Sequence, residues 1–245
     1  MPATPAPVVP DLPAAVLWDM DGTLVDTEPA WIAAETALVQ EFGGTWTTED
    51  ALRLVGLPLE HSAALLAEAG VTLPTGEIVE RLIDGVVASV RSHTVWQPGA
   101  RRLLEDLRDA GVPCALVTMS YRRFAEEAMR TAPEGVLTVM VTGDEVSRGK
   151  PDPEPYLRAA EVLGVDVTRC VAIEDSRPGI ASALASGART LGVQHLVPVE
   201  PRDGLSRVAS LEDVDLAALA RIGAGEVLDR MPVDAPGQAG LTTEA

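Results

Sequence analysis

Two aspartates one residue apart, Asp19 and Asp21, follow a short apolar run near the start of the chain. A buried strand that ends in Asp-x-Asp directs two carboxylates and a backbone carbonyl into one small space. Like charges at that distance are unfavourable unless a cation or a shared proton offsets them. The motif therefore indicates a bound metal or a proton-transfer pair. A plain turn is the alternative, because Asp followed by Gly22 is a common turn signal.

Further polar side chains follow other apolar runs that are expected to be strands. Thr118 and Ser120 follow one run, and Glu174 and Asp175 follow another. Lys150 precedes the helix that leads into the run before Glu174. Open parallel sheets place their sites at the carboxyl ends of the strands. Each group taken singly could instead cap a helix or lie on the surface. Together they predict one site with an excess of negative charge.

The chemistry of this set favours Mg2+ as the cofactor. Mg2+ prefers carboxylate oxygens and keeps water or phosphate oxygens as its other ligands. Zinc sites are built largely from His and Cys, and neither residue stands at these positions. A nucleophilic carboxylate, an acid/base carboxylate, a divalent cation and one ammonium group can transfer a phosphoryl group through an aspartyl-phosphate.

Strand-like and helical stretches alternate along most of the chain. The predicted strands cover residues 15–18, 113–117, 137–142, 170–173 and 189–193. The predicted helices between them cover residues 100–110, 121–130, 155–163 and 179–185. Such alternation predicts an α/β fold in which a parallel sheet is covered by helices on both faces.

The stretch 28–94 interrupts this alternation, because it contains three helical pieces (32–42, 60–69 and 77–92) and no convincing strand. We interpret it as a small helical cap inserted after the first strand. The core would then comprise residues 13–27 and 95–222. Residues 1–12 are expected to be a flexible N-terminus. Residues 223–245, rich in Gly, Ala, Pro and Thr, are expected to be a loose C-terminal tail.

Composition narrows the class of partner. The 245 residues fit one main domain with a smaller insert, and no apolar run approaches the roughly 20 residues of a membrane span. The formal net charge of -18 argues against nucleic acid, whose binders need clustered Lys and Arg.

The chain's start and its cysteines indicate the compartment. The first residues lack the basic start and apolar centre of a secretory signal. Cys114 and Cys170 lie in apolar stretches, as expected of buried thiols in a reducing cytoplasm. We therefore expect a cytoplasmic monomer whose partner is a small molecule.

The order of the motifs resembles that of the haloacid dehalogenase superfamily over residues 14–193. The matching motifs are Asp19-Met-Asp21-Gly-Thr, Thr118, Lys150-Pro-Asp-Pro and Glu174-Asp175-Ser. The resemblance implies a Rossmann-like core. The insert is similar to the small cap of the phosphatase and phosphoglucomutase subgroup, and residues 22–27 would form the flap and hinge that let this cap close and exclude water.

The resemblance also implies roles for individual residues. Asp19 would be the nucleophile, and Asp21 the general acid and then the general base. The phosphoryl group would be held by Gly22, Thr118, Ser120 and Lys150. Mg2+ would be bound by the Asp19 carboxylate, the Asp21 carbonyl and Asp175, with Glu174 assisting.

The cap sequence separates two activities within that resemblance. Beta-phosphoglucomutases have a Leu-Lys-Gly-x-x-Arg segment and a histidine shortly after the flap. Here Val55, Leu59 and Trp31 stand at the lysine, arginine and histidine places. Without those groups a bisphosphate intermediate lacks partners for its second phosphate, so hydrolysis of a phosphomonoester, such as a sugar phosphate, is expected. A mutase-type phosphotransferase and a non-catalytic phosphate-binding scaffold are the alternatives.

Several cap residues have two interpretations. Trp31, Trp46, Leu57 and Leu59 could form an apolar wall against the substrate or pack within the cap's own core. Large aromatic side chains usually pack in cores. Arg53 and His61 are the nearest charged or ionisable groups of this segment, and they receive no role.

Overall fold

The computed structural model describes residues 11–232, and every strand in this part of the chain belongs to one parallel sheet. The strands are β1 (Ala15–Trp18), β2 (Cys114–Val117), β3 (Leu137–Val141), β4 (Cys170–Glu174), β5 (Arg189–Val193), β6 (Leu205–Val208) and β7 (Asp229–Arg230). Their order is β3-β2-β1-β4-β5-β6-β7, with all neighbours parallel. The predicted positions of β1 to β5 are confirmed to within one residue.

Four of the five helices between β1 and β2 form the insert expected from the sequence. They are α1 (Glu28–Glu41), α2 (Thr48–Leu52), α3 (Leu59–Glu68) and α4 (Thr75–Ser92). α4 packs against both α1 and α3. The short α2 was not predicted; it begins at a capping box in which Thr47 and Asp50 satisfy each other's backbone N–H groups. Because apolar packing continues from this insert into the sheet, the proposed domain boundaries at 28 and 94 remain a prediction.

Helices cover both faces of the sheet, as the alternation predicted. They are α5 (Ala100–Asp109), α6 (Arg122–Ala128), α7 (Glu154–Leu163), α8 (Arg177–Ser186) and α9 (Leu216–Gly223). Alternate residues of a strand point to opposite faces. Accordingly, Val16 and Trp18 of β1 join the apolar cluster that contains Leu103 of α5. Leu17, between them, joins the second cluster with Tyr156 of α7.

The end of the chain differs from the expected loose tail. Leu228 is buried, and Asp229–Arg230 pairs in parallel with β6. A strand of two residues in a Gly- and Ala-rich segment leaves no periodic signal, so β7 was not predicted. α9 was not predicted either, although Leu219 and Ile222 lie three residues apart on its buried face. Residues 1–10 and 233–245, which carry the rest of the two terminal predictions, lie outside the described residues. Within residues 11–232, no helix has the length and apolar content needed to cross a bilayer, and both cysteines are buried free thiols.

The chain leaves the core and returns to it along two adjacent segments. Val25 and Trp96 form an antiparallel bridge. The Asp26 N–H donates to the Val95 carbonyl (2.8 Å), and the Gln97 N–H donates to the Leu24 carbonyl (2.9 Å). The two segments that join the insert to the core are therefore adjacent and hydrogen-bonded to each other, and the hinge expected at residues 22–27 stays a prediction.

One loop of the insert, residues 53–58, lies directly against the core. Gly56 has a φ of +76°, and a Cβ placed on it would lie 2.5 Å from Ser176 Oγ. Pro58 of the same loop lies against Gly149. The approach of the loop to the sheet therefore depends on the absence of side chains at two glycines.

Gly56→Ala should loosen this contact beyond what backbone strain alone explains. Gly43 has a similar φ of +78°, and a Cβ placed on it would have no neighbour within 4 Å, so Gly43→Ala is the matched control for strain of about 1 kcal/mol. We expect Gly56→Ala to lose more unfolding free energy in urea titrations and to speed amide exchange in residues 53–58. Equal losses and unchanged exchange in that loop would contradict the contact.

Candidate active site

The residues that the sequence placed at strand ends do converge. β2, β1 and β4 are neighbours in the sheet, so the segments that follow them lie side by side at its carboxyl edge. Together with loop 53–58 and α1 they enclose a cavity, lined on the core side by Asp19, Asp21, Thr118, Ser120, Lys150 and Ser176. The cavity measures about 50 Å³, well below the roughly 300 Å³ at which ligand pockets usually begin. The insert therefore covers the site closely.

A buried ammonium group joins three strands at this edge. Lys150 is 1% exposed. Its Nζ donates to Asp19 Oδ1 (2.6 Å) after β1, to Glu174 Oε1 (2.5 Å) in β4 and to the Val117 carbonyl (2.8 Å) of β2. Burial alone would lower the pKa of Lys150, but the two carboxylates hold it above its ordinary value. Lys150 is thus a fixed positive charge at the centre of the site.

The carboxylate of Glu174 is accommodated by its surroundings. A Cβ on Gly179 of α8 would lie 1.9 Å from Glu174 Oε1, so only glycine leaves room for this side chain. The Tyr156 hydroxyl donates to Glu174 Oε1 (2.7 Å), and the Ser176 hydroxyl donates to Oε2 (3.1 Å). Glu174 is therefore held in one orientation as the partner of Lys150.

Asp175 has one satisfied and one unsatisfied oxygen. Thr23 donates to its Oδ1 (3.1 Å), whereas Oδ2 is buried without a hydrogen-bond partner. A Cβ on Gly22 would lie 2.2 Å from this Oδ2. A buried carboxylate oxygen without a partner is costly. It marks the place where a cation would be bound.

Three buried carboxylates are arranged as a metal site. Asp19, Glu174 and Asp175 each offer an oxygen within 4.8 Å of the others. Burial, followed by the Glu174 carboxylate, raises the pKa of Asp19 to about 8. Burial, followed by Asp19, raises the pKa of Asp175 well above its ordinary value. Since Lys150 balances only one of these charges, the set fits a hard divalent cation with oxygen ligands.

The carboxylate of Asp21 is separated from this cluster. Its Oδ1 accepts from Thr27 Oγ1 (2.5 Å) and Trp31 Nε1 (3.1 Å), and its Oδ2 accepts from Thr118 Oγ1 (3.1 Å) and Ser120 Oγ (2.8 Å). The three hydroxyls can rotate to donate or accept, so this environment suits both the ionised and the protonated carboxyl group. The expected contribution of the Asp21 carbonyl to metal binding stays a prediction.

The structure decides between the two interpretations of several cap residues. Trp31 fits both interpretations, the wall of the site and apolar packing. Its indole N–H donates to Asp21 from the cavity wall, and its ring packs edge-on against Phe124. Leu57 and Leu59 line the cavity, as does Val55. Trp46 packs against the apolar core instead. Arg53 and His61 are exposed and do not line the cavity.

Sequence reasoning missed several polar residues of the site. Tyr156 supports Glu174, and the cavity wall contributed by the insert contains Glu28, Glu35 and Ser62. Helical spacing was a usable signal for Glu28 and Glu35, because they lie seven residues apart and so share a face of α1. The composition also offered further support for Lys150, which was predicted: it is the single lysine among 19 basic residues.

Comparisons with known proteins agree with this geometry. A family model described as "Haloacid dehalogenase-like hydrolase" matches residues 16–193. A phosphorylated carbohydrates phosphatase of Thermotoga maritima is 35% identical over 74% of this chain and 85% of its own length. Hexitol phosphatase A of Escherichia coli is 32% identical over 72% of this chain and 81% of its own length.

Solved structures show the same arrangement of elements. CbbY from Rhodobacter sphaeroides, solved in complex with phosphate, superposes with a TM-score of 0.76 at 25% identity. The superposition covers 82% of this chain and 96% of that one. The family match, the parallel sheet and the four polar motifs at its carboxyl edge thus lead to one conclusion: the chain belongs to the haloacid dehalogenase-like hydrolase family.

Proposed function

We propose that this protein is a Mg2+-dependent phosphomonoester hydrolase that acts on a small phosphorylated metabolite through an aspartyl-phosphate. The observation that carries the proposal is the different environment of two neighbouring carboxylates. Asp19 is bonded to Lys150 inside the acidic cluster, whereas Asp21 is bonded to hydroxyls and the Trp31 indole. Such a separation suits one carboxylate to attack phosphorus and the other to transfer protons.

In the first step, an Asp19 carboxylate oxygen forms a bond to phosphorus while the bond from phosphorus to the leaving-group oxygen breaks. Protonated Asp21 gives its proton to that oxygen. In the second step, Asp21 takes a proton from water, whose oxygen bonds to phosphorus as the bond to Asp19 breaks. Lys150 orients Asp19 throughout and balances charge on the phosphoryl oxygens.

A divalent cation held by Asp19, Glu174 and Asp175 would neutralise carboxylate charge and polarise the phosphoryl oxygens. Thr118 and Ser120 reach the cavity from the segment after β2, where their hydroxyls can turn from Asp21 to the phosphoryl group. Gly22 lies beside Asp175 and is not among the described residues that line the cavity, so its phosphate-binding role stays a prediction.

Hydrolysis is favoured over phosphate transfer between two positions of a sugar. The cavity wall contains Val55 and Leu59 at the places where the mutase pattern has cations. Among the described residues that line the cavity, Lys150 is the one cation, so a second phosphate has no positive partner there. The named activities of the relatives, on phosphorylated carbohydrates and hexitol phosphates, support the same choice.

Mg2+ should stabilise the protein through Asp175. We expect saturating Mg2+ to raise the melting temperature of the wild type by several degrees, since a ligand at about 100 times its Kd contributes about 2.7 kcal/mol. Asp175→Asn removes a buried carboxylate charge, so its melting temperature in EDTA should equal or exceed that of the wild type, with the Mg2+ shift lost. Asp109→Asn, an exposed change, is the control. An undiminished Mg2+ shift in Asp175→Asn would contradict the assignment.

Phosphate release tests the catalytic roles. The wild type with Mg2+ should release phosphate from at least one sugar or polyol phosphate, and Asp19→Asn should lower kcat by at least about 1,000-fold because it removes the nucleophile. Asp21→Ala should form a phosphoenzyme from an activated aryl phosphate yet fail to turn over. Equal release by the wild type and Asp19→Asn would exclude this mechanism. Bisphosphate-stimulated interconversion of hexose phosphates with little net release would indicate the mutase.

A further inference from the structure

The wall that the insert contributes to the cavity is acidic. Glu28 and Glu35 on α1 and Ser62 on α3 line it, and each of the three residues is at least nine-tenths buried. Neither Glu28 nor Ser62 forms a side-chain hydrogen bond with the rest of residues 11–232. Their oxygens are not among the fully buried polar atoms that lack a partner, so they face the open space of the cavity and are available to a ligand there.

Glu35 is held at one oxygen and free at the other. Trp46 Nε1 donates to its Oε2 (3.1 Å) from behind, and Oε1 has no partner among the described residues. Burial raises the pKa of Glu35 to about 7 and that of Glu28 to about 8. Glu35 is therefore ionised above neutral pH, where its carboxylate accepts hydrogen bonds from hydroxyls and repels a second anion.

Position along α1 indicates which part of a ligand meets Glu35. Trp31, one turn earlier, contacts Asp21, and Glu28 lies one more turn towards the catalytic end. Seven residues of helix separate Glu28 from Glu35 by about 10 Å. Glu35 is thus placed to contact the end of the leaving group that is remote from the phosphate.

We propose that Glu35, held by Trp46, selects a neutral polyhydroxylated leaving group and excludes one that carries a second negative charge. Hydroxyl groups would satisfy the free oxygen of Glu35. A carboxylate or second phosphate would face the carboxyl groups of the wall with no cation among its described residues other than Lys150, which the catalytic phosphate occupies. Juxtaposed like charges in a closed cavity cost several kcal/mol. This inference rests on the proposed hydrolase function and deepens it.

A matched pair of substrates tests the selection. Glucitol 6-phosphate and 6-phosphogluconate differ only in a terminal hydroxymethyl group against a carboxylate. At pH 8.5, where Glu35 is ionised, the wild type should show a kcat/KM ratio of at least about 10 in favour of the glucitol ester. Glu35→Gln removes the charge and should lower this ratio about fivefold or more. Trp46→Phe removes the donor that holds Glu35 and should lower it in the same direction.

Glu68→Gln is the matched control, because it makes the same charge change at an exposed position of α3; it should retain the wild-type ratio. A ratio near 1 in the wild type, or one unchanged in both Glu35→Gln and Trp46→Phe, overturns the inference. If the wild type hydrolyses neither ester nor phenyl phosphate, the proposed hydrolase function fails. Calorimetric affinities of the two esters for Asp19→Asn, with and without Glu35→Gln, then test the selection independently of turnover.

Discussion

The hydrogen bonds of Lys150 hold the site together. One buried ammonium group binds the carboxylate after β1, a carboxylate of β4 and a carbonyl of β2. Removing one member of a buried ion pair typically costs about 3–5 kcal/mol, because the other charge is left without a partner. The relative positions of Asp19 and Glu174 therefore depend on this lysine. No other lysine exists in the chain.

A charge imbalance follows from the same group of residues. The cluster contains three buried carboxylates and a single ammonium group, which bonds to two of them, and one oxygen of Asp175 has no partner. A divalent cation and a phosphoryl group complete this arrangement better than either does alone, since each offsets the charge of the other. The net charge of -18 works against the approach of anions. Salt screens that field beyond about 8 Å, so the local charges at the sheet edge decide binding.

Much of the fold and of the catalytic edge could be predicted, because the signals are local in sequence. Apolar runs in the sequence predicted β1 to β5. Asp19, Thr118 and Glu174 stand at the ends of three of these runs, which predicted that they lie at one edge of the sheet. Short elements with mixed polarity, such as α2 and β7, carry no such signal. Loop 53–58 could be aligned with a mutase pattern, but its contact with Ser176 depends on how the insert folds back on the core.

The environment of individual side chains was less accessible. Sequence order cannot show that Trp31 donates to Asp21, or that Tyr156 supports Glu174 from α7. Glu35 looked like an ordinary helix-forming residue, and its buried position follows only from the packing of α1 over the cavity. These contacts are fixed by tertiary packing and not by local pattern.

Because the chain has one lysine, isotope labelling at lysine Nζ gives one side-chain signal. We predict that the Lys150 ammonium group is observed at pH 7.5 and protected from hydrogen exchange, and that its resonance shifts in Asp19→Asn. A signal with the exchange rate of a solvent-exposed lysine, unaffected by Asp19→Asn, would contradict the central role of this buried ion pair.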